Sequence, residues 1–368
     1  MTSASLTTPV RAPRLRVDIN GVIINSIVHA EVVNRGSYKS SDFELTASIT
    51  GNIRDRRWLS AVSGRATVQI YMYSGIFGVG PPIFQGLADS ISIDQTNGIA
   101  RISGRDYSSV LIDSTYQDSF CNQTASEIAN SIAARHGFNS NVFTTSRMVG
   151  TYQDNSYNQF LLNSHSHITS EWDLLTQLAR SEQFELFVDG NVLVFAPSIS
   201  LPRNNTLIDV GEVIGIRFHK NLPLSDQTTL TVKSWNSWLG LALYHSDGQS
   251  ISSDTASTLD FSDKQGVEIA IVKPNLSPVD AEQLANRSLN LIKEQMLTVQ
   301  ITMPGEILMK PRDVITISGS QSSFNTNYVV RSVRREFSTA AGFIQYVQGF
   351  AIGNELPLQA GNGASLNG

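Results

Sequence analysis

Four carboxylates stand close together in the middle of the chain, Asp173, Glu182, Glu185 and Asp189. Paired carboxylates a few ångströms apart serve glycosidases as acid and base, or as acid and nucleophile. Their placement here argues against that use. Phe184-Glu185-Leu186-Phe187-Val188 alternates as a strand, which sets Glu185 on the outward face, opposite Phe184 and Leu186, and Asp189-Gly190 has the composition of a tight turn. His165-Ser166-His167 has metal-like spacing, because alternate residues on an extended strand face the same way, but an ion needs a third ligand. Ser164, Ser166, Thr169 and Ser170 make this segment a polar loop leading into a helix. Trp235 and Trp238, near Lys233, have the chemistry of a sugar or nucleobase platform, and equally that of a core cap or a subunit contact. No residue is assigned a catalytic, cofactor-binding or metal-binding role.

Motifs that would override this reading fail. The chain holds no H-E-x-x-H, no G-x-S-x-G, no Walker A sequence and no G-x-G-x-x-G; Gly78-Val79-Gly80 runs into Pro81-Pro82, which cannot open a phosphate-cradling helix. A formal net charge of -5 disfavours broad nucleic-acid binding, which needs clustered cations to neutralise phosphates. The run Arg54, Arg56, Arg57 reads as a solvated loop. Cys121 is the single cysteine, so an intrachain disulfide and a Cys-rich zinc site are excluded, and a small buried residue is expected there. No stretch approaches the ~20 apolar residues of a membrane span, and the N-terminus lacks the basic start and apolar run of a secretory signal, so synthesis in a cytoplasm is expected.

The elements that would position such residues are mostly strands. With 41% hydrophobic residues among 368, more than one core and two or three domains are expected. Leu15, Val17 and Ile19 alternate with polar residues, Asn20-Gly21 turns the chain, and Val22-Ile23-Ile24 leads back. Phe43, Leu45, Ala47 and Ile49 repeat the alternation, as do Val68, Ile70 and Met72; Asn97-Gly98 joins Ile91 and Ile93 to Ile99 and Ile102. The period then changes. Thr124 and Glu127 fit a capping box, Ala125, Ile128, Ala129 and Ile132 share a helix face, and Gly137 supplies a stop. A second helix begins near Thr169, with Trp172, Leu175, Leu178 and Ala179 on one side, and runs into a hairpin over 184–195. Strands return from Leu207 to Val232, followed by a polar loop over 246–258. A long helix then has Ser277 as N-cap, Pro278 in its first turn and a stripe of Leu284, Ala285, Leu291 and Ile292. Strands at 297–303, 313–317, 328–337 and 343–350 close the pattern.

The expected fold is therefore mainly β with an α+β insert. The divisions are 1–104, a first strand-rich domain of barrel or sandwich type; 105–200, an α+β module; 201–353, a second such domain carrying a helix at 278–296; and 354–368, a flexible tail.

In this order the features resemble the phage late control D family, the tail (baseplate) hub proteins related to the N-terminal hub part of VgrG. Three places carry the resemblance. Gly104-Arg105-Asp106-Tyr107 with Leu111-Ile112-Asp113 is similar to the exit of the family's first β domain. The stretch 122–137, then Glu171-Trp172-Asp173-Leu174-Leu175 and Val188-Asp189-Gly190, is similar to its central module. Asp280-Ala281-Glu282, Thr302-Met303-Pro304-Gly305, Pro311-Arg312-Asp313-Val314-Ile315 and Tyr328-Val329-Val330-Arg331 are similar to its last β domain.

The resemblance implies two tube-type barrel domains per chain and a homotrimeric ring that adapts a hexameric tail tube to a trimeric central spike, with an axial channel for DNA. The implied partners are further copies of the chain, the tube protein, the spike protein, and tape measure and baseplate wedge proteins. DNA passes only transiently and no membrane is entered. No cofactor or metal and no enzymatic activity are implied, and the implied location is the virion tail, assembled in the host cytoplasm. With no β-helix repeat or lysozyme domain before Gly368, the spike is expected on a separate chain. A tail-borne peptidoglycan hydrolase and a host-glycan-binding tail protein are the alternatives. A trimer meets a six-fold tube only if each chain offers two near-equivalent surfaces. The two strand-rich ends are the candidates, although their sequences are not visible repeats.

Overall fold

A computed structural model describes residues 5–6, 13–24, 26–49, 58–59, 64–74, 80–115, 120, 122–146, 148–149, 170–222, 227–236, 241–247, 266–273 and 278–351. The expectations for Arg54, Arg56, Arg57, Cys121, the pair His165 and His167, the loop 246–258 beyond Asp247, the Ser277 cap, the side chains of Trp235 and Trp238, and the tail 354–368 lie outside these residues.

The first unit holds β1 (Ser5–Leu6), β2 (Pro13–Ile19), β3 (Val22–Ile24), β4 (Ile27–Arg35), β5 (Asp42–Ser48), β6 (Thr67–Ser74), β7 (Phe84–Asp94) and β8 (Ile99–Asp106). The predicted β2–β3 hairpin is present, and its turn works because Asn20 (φ 48) and Gly21 (φ 81) both take the left-handed conformation that a two-residue hairpin demands. Pairing runs β4-β5-β8-β7-β6-β2-β3, antiparallel throughout. The period-2 residues Val17, Ile19, Phe43, Leu45, Ala47, Val68, Ile70 and Ile102 fill one core with Trp58. Strands β7 and β8 come very close at Gly104, where a Cβ would run into the Leu87 carbonyl oxygen, so only glycine fits.

The module between comprises α1 (Ser108–Asp113), β9 (Gln123–Thr124), α2 (Ala125–Arg135), β10 (Asn139–Val142), β11 (Met148–Val149), α3 (Glu171–Ser181), β12 (Phe184–Asp189) and β13 (Val192–Pro197). The capping box on α2 forms as read: Glu127 N–H donates to Thr124 Oγ1 at 3.3 Å, and Thr124 N–H donates to Glu127 Oε2 at 2.8 Å. Gly137, at φ +73, follows its end. Ser170 caps α3, with its Oγ accepting from Asp173 N–H at 3.1 Å. Both helices pack on the β12–β13 hairpin through Ile128, Ile132, Trp172, Leu175, Leu178, Leu186 and Phe195.

The last unit comprises β14 (Asn205–Asp209), β15 (Gly215–Lys220), β16 (Gln227–Asn236), β17 (Leu241–Asp247), β18 (Gly266–Val272), α4 (Pro278–Met296), β19 (Leu297–Pro304), β20 (Val314–Ser318), β21 (Asn327–Ser338) and β22 (Gly342–Ala351). Its main pairing runs β14-β20-β21-β22-β19-β15 around Ile208, Val299, Ile301, Ile315, Ile317, Tyr328, Val330 and Val347. The strands expected from Leu207 to Val232 are present and divide between two sheets: β16–β18 make a separate three-stranded sheet against α4, with its own core of Leu230, Val232, Ala281 and Ala285. One expectation needs correction. Leu291 is half exposed, because the helix turns that position away from the small sheet, while Leu284, Leu289 and Ile292 pack against it.

The two units repeat one pairing order. Pairs β2–β6, β6–β7, β7–β8, β8–β5 and β5–β4 of the first unit recur, in the same chain order, as β14–β20, β20–β21, β21–β22, β22–β19 and β19–β15 of the last. One departure is that β14 lies parallel to β20, whereas β2 is antiparallel to β6. The units are also not separate sheets. The second half of β21 pairs with β4, Ser332↔Arg35 through Ser338↔His29, and makes one sheet across both.

Candidate assembly joint

The sequence-predicted carboxylates do not converge on a cleft. Asp173 sits in the first turn of α3 and Glu182 caps its end. Asp189 is in the β12–β13 turn, paired with Lys310 at 3.0 Å. Glu185 does lie on the face of β12 opposite Leu186, but that face is not solvent-exposed: the last unit covers it. Glu185 Oε1 meets Arg203 Nη2 at 3.1 Å, Oε2 faces Arg312 Nε as a close charge contact, Ser198 Oγ donates to Oε1, and Ser37 Oγ donates to Oε2 at 3.1 Å. Arg312 adopts a positive φ of 78 and places its guanidinium 4.4 Å from the Phe187 ring centroid. One carboxylate thus ties the β4–β5 loop, the module and the last unit together. Strand alternation alone could not show what lay across that face.

The β4–β5 loop adds a second tie. Tyr38, at φ 68, donates its N–H to the Leu186 carbonyl at 2.8 Å and its hydroxyl to the Phe184 carbonyl. Burial, with the nearby Glu185 charge, pushes the Tyr38 phenol up to about 12. Arg180 lies over the ring at 5.2 Å.

At the β4–β21 joint Arg335 is buried, and each of its three guanidinium nitrogens donates a hydrogen bond. Nε donates to the Glu306 carbonyl at 3.0 Å, Nη1 to Asn34 Oδ1 at 2.8 Å, and Nη2 to the Met309 carbonyl. Burial pulls its guanidinium down to about 10, partly offset by the charges of Glu306 and Asp313. On the joint's outer face Arg334 bridges Glu31 at 2.8 Å and Glu336 at 3.5 Å, holding together two carboxylates that sit opposite each other.

Elsewhere, an open cleft of about 370 Å³ is lined by Gly64, Arg65, Ala88, Asp89 and Asp113. Its acids are held by arginines: Arg65 reaches Asp113 at 2.8 Å, and Arg105 reaches Asp89 at 2.6 Å and Asp113 at 3.1 Å. Among the described residues no group of three His, Cys, Asp or Glu side chains could hold a metal ion. No helix among them is long and apolar enough to cross a membrane.

Two β units with one pairing order are thus joined through a shared strand pair and flank an α+β module. No protein-family profile and no curated protein matches the chain by sequence. Solved structures do match over nearly its full length. The 43 kDa tail protein of prophage MuSo2 from Shewanella oneidensis has a TM-score of 0.65 at 14% identity, over 92% of this chain and 98% of that one. A tail protein from Neisseria meningitidis MC58 has a TM-score of 0.66 at 12% identity, over 92% and 97%. The c3393 protein of E. coli, described as a type VI secretion component similar to the T4 tail proteins gp27 and gp5, has a TM-score of 0.56 at 12% identity, over 92% and 77%. At such identities the likeness carries the fold alone.

Proposed function

We propose that the chain is a structural hub of a phage or phage-like tail, a homotrimeric ring that adapts a hexameric tube to a trimeric central spike around a channel for DNA. The observation that carries this reading is the repeated pairing order of the two β units, since a trimer needs two near-equivalent surfaces per chain to meet six-fold symmetry. On this reading residues 1–104 and 201–353 are the two tube-type domains and 105–200 is the module that braces them. The partners are the tube protein, the spike, and tape measure and baseplate wedge proteins, and the location is the virion tail. The role is non-enzymatic, because Glu185, Asp189, Asp89 and Asp113 are engaged by basic side chains that hold the structure. Sedimentation of the purified protein tests this. Three chains per particle is the expected mass, and a stable monomer that degrades purified cell wall would overturn the reading.

A further inference from the structure

Within the chain, β4 adds to the second half of β21, directly after a bulge between Val330 and Ser332. The counterpart of β21 in the first unit is β7, which has a bulge at the matching place, between Ala88 and Ser90. The first half of β7 is paired with β6 from Phe84 to Leu87, but from Ser90 to Asp94 its only described strand partner is β8. The counterpart of β4 in the last unit is β15, whose only described strand partner is β19. Each unit therefore repeats one half of the joint, and in each that half has one edge without a strand partner among the described residues. Such edges are templates for another strand.

We propose that β15 of one copy pairs antiparallel with Ser90–Asp94 of the next, repeating between chains the joint that β4 and β21 make within one. This rests on the ring reading and specifies its contact between copies. The register follows from the pairings. Ser332 and Ser90, each first after its bulge, face Gln348 and Ser103. Gln348 faces Gln300, which faces Arg217; Ser103 faces Glu44, which faces Glu31. Arg217 therefore occupies the place of Glu31, and Asp94 that of Glu336. Inside the chain Glu336 faces Glu31 and needs Arg334 to bridge the two. Between chains Asp94 faces Arg217, an opposite-charge pair that needs no bridge.

Burial agrees with a missing cover. In the completed joint Val333 and Arg335 are buried, at 0% and 3% exposure. Their counterparts on β7 are Ile91, only partly buried, and Ile93, 44% exposed. Across from Ile93 the register puts Phe218. A head-to-tail contact of this kind joins two different patches and, where its rotation closes, builds a ring.

The test uses the full chain with Cys121→Ser, carrying Ser92→Cys and His219→Cys, which the register places opposite each other on exposed positions. Opposed strand residues have Cα atoms about 4.5–5.5 Å apart, within reach of a disulfide. Oxidation is expected to give a covalent ladder ending at three chains, with neither single cysteine variant forming it. Trimers in solution without the ladder would overturn the strand joint and leave the ring reading standing; a monomer in solution would overturn both. As a check independent of the cysteines, Asp94→Arg and Arg217→Asp should each weaken assembly at least about tenfold, and their combination should restore it. Assembly unchanged in the single variants, or not restored in the double, would refute the register.

Discussion

Replacing Arg335 separates a packing role at the β4–β21 joint from a donor role. The side chain is wholly buried and donates to the carbonyls of Glu306 and Met309 and to Asn34 Oδ1. Truncation in Arg335→Ala leaves three acceptors without donors, each costing about 1–3 kcal/mol, and opens a cavity. Against this stands the relief of desolvation that now draws the guanidinium down to about 10. The measured range for removing one partner of a buried charged cluster, about 3–5 kcal/mol, is the expected net. At about 2–4 °C per kcal/mol, the transition that includes the joint should fall by roughly 6 °C or more, as read by calorimetry. Arg335→Met decides between the roles. It refills most of the volume but supplies no donor, so it should recover only a minor part of the loss, and Arg335→Lys, lacking the planar fork, should also fall well short. A methionine variant as stable as the parent, or an alanine variant within about 1 kcal/mol of it, would refute the account of the joint.

Other substitutions test other ties. Glu185→Ala should cost about 3–5 kcal/mol in urea unfolding, because Arg203 and Arg312 lose their shared partner under the covering unit. Thr124→Ala removes one half of the α2 capping box and should cost about 1 kcal/mol. Gly104→Ala forces a Cβ against the Leu87 carbonyl, and folding yield or melting temperature should drop more than for an alanine placed on exposed β7 residues. Burial raises the Asp106 carboxyl above its ordinary range, despite hydrogen bonds from Ser40, Ser41 and Ser108. The folded state then holds a proton where the unfolded chain does not, so this group's contribution is fully present below the unfolded carboxylate value and is lost as pH rises through the folded one. The urea midpoint of the parent, followed from about pH 4 to pH 7, should carry that downward share, and Asp106→Asn should lack it.

Local structure was legible in the sequence wherever the signal was local. The Asn20-Gly21 hairpin, the Thr124 and Glu127 box and the strands from 297 onward formed as read, because turn chemistry and period-2 alternation depend on near neighbours. What failed needed knowledge of distant partners. Glu185 alternates like a solvent-facing residue, yet Arg203 and Arg312, both from the last unit, lie over it. Leu291 fits a helical stripe, but the helix turns it away from the small sheet that Leu289 and Ile292 meet. The repeat of the two units left no trace in side chains because a pairing order is a property of the backbone. Positions as different as Arg335 and Ile93, or Glu31 and Arg217, hold the same place in it.

The central claim is that two near-equivalent units per chain build a six-surfaced ring. Electron-microscopic images of the purified protein, averaged without imposed symmetry, test it most directly. The account predicts a closed ring of three chains, with six similar lobes around a central opening. Isolated single chains, or closed particles whose lobes number other than six, would contradict it.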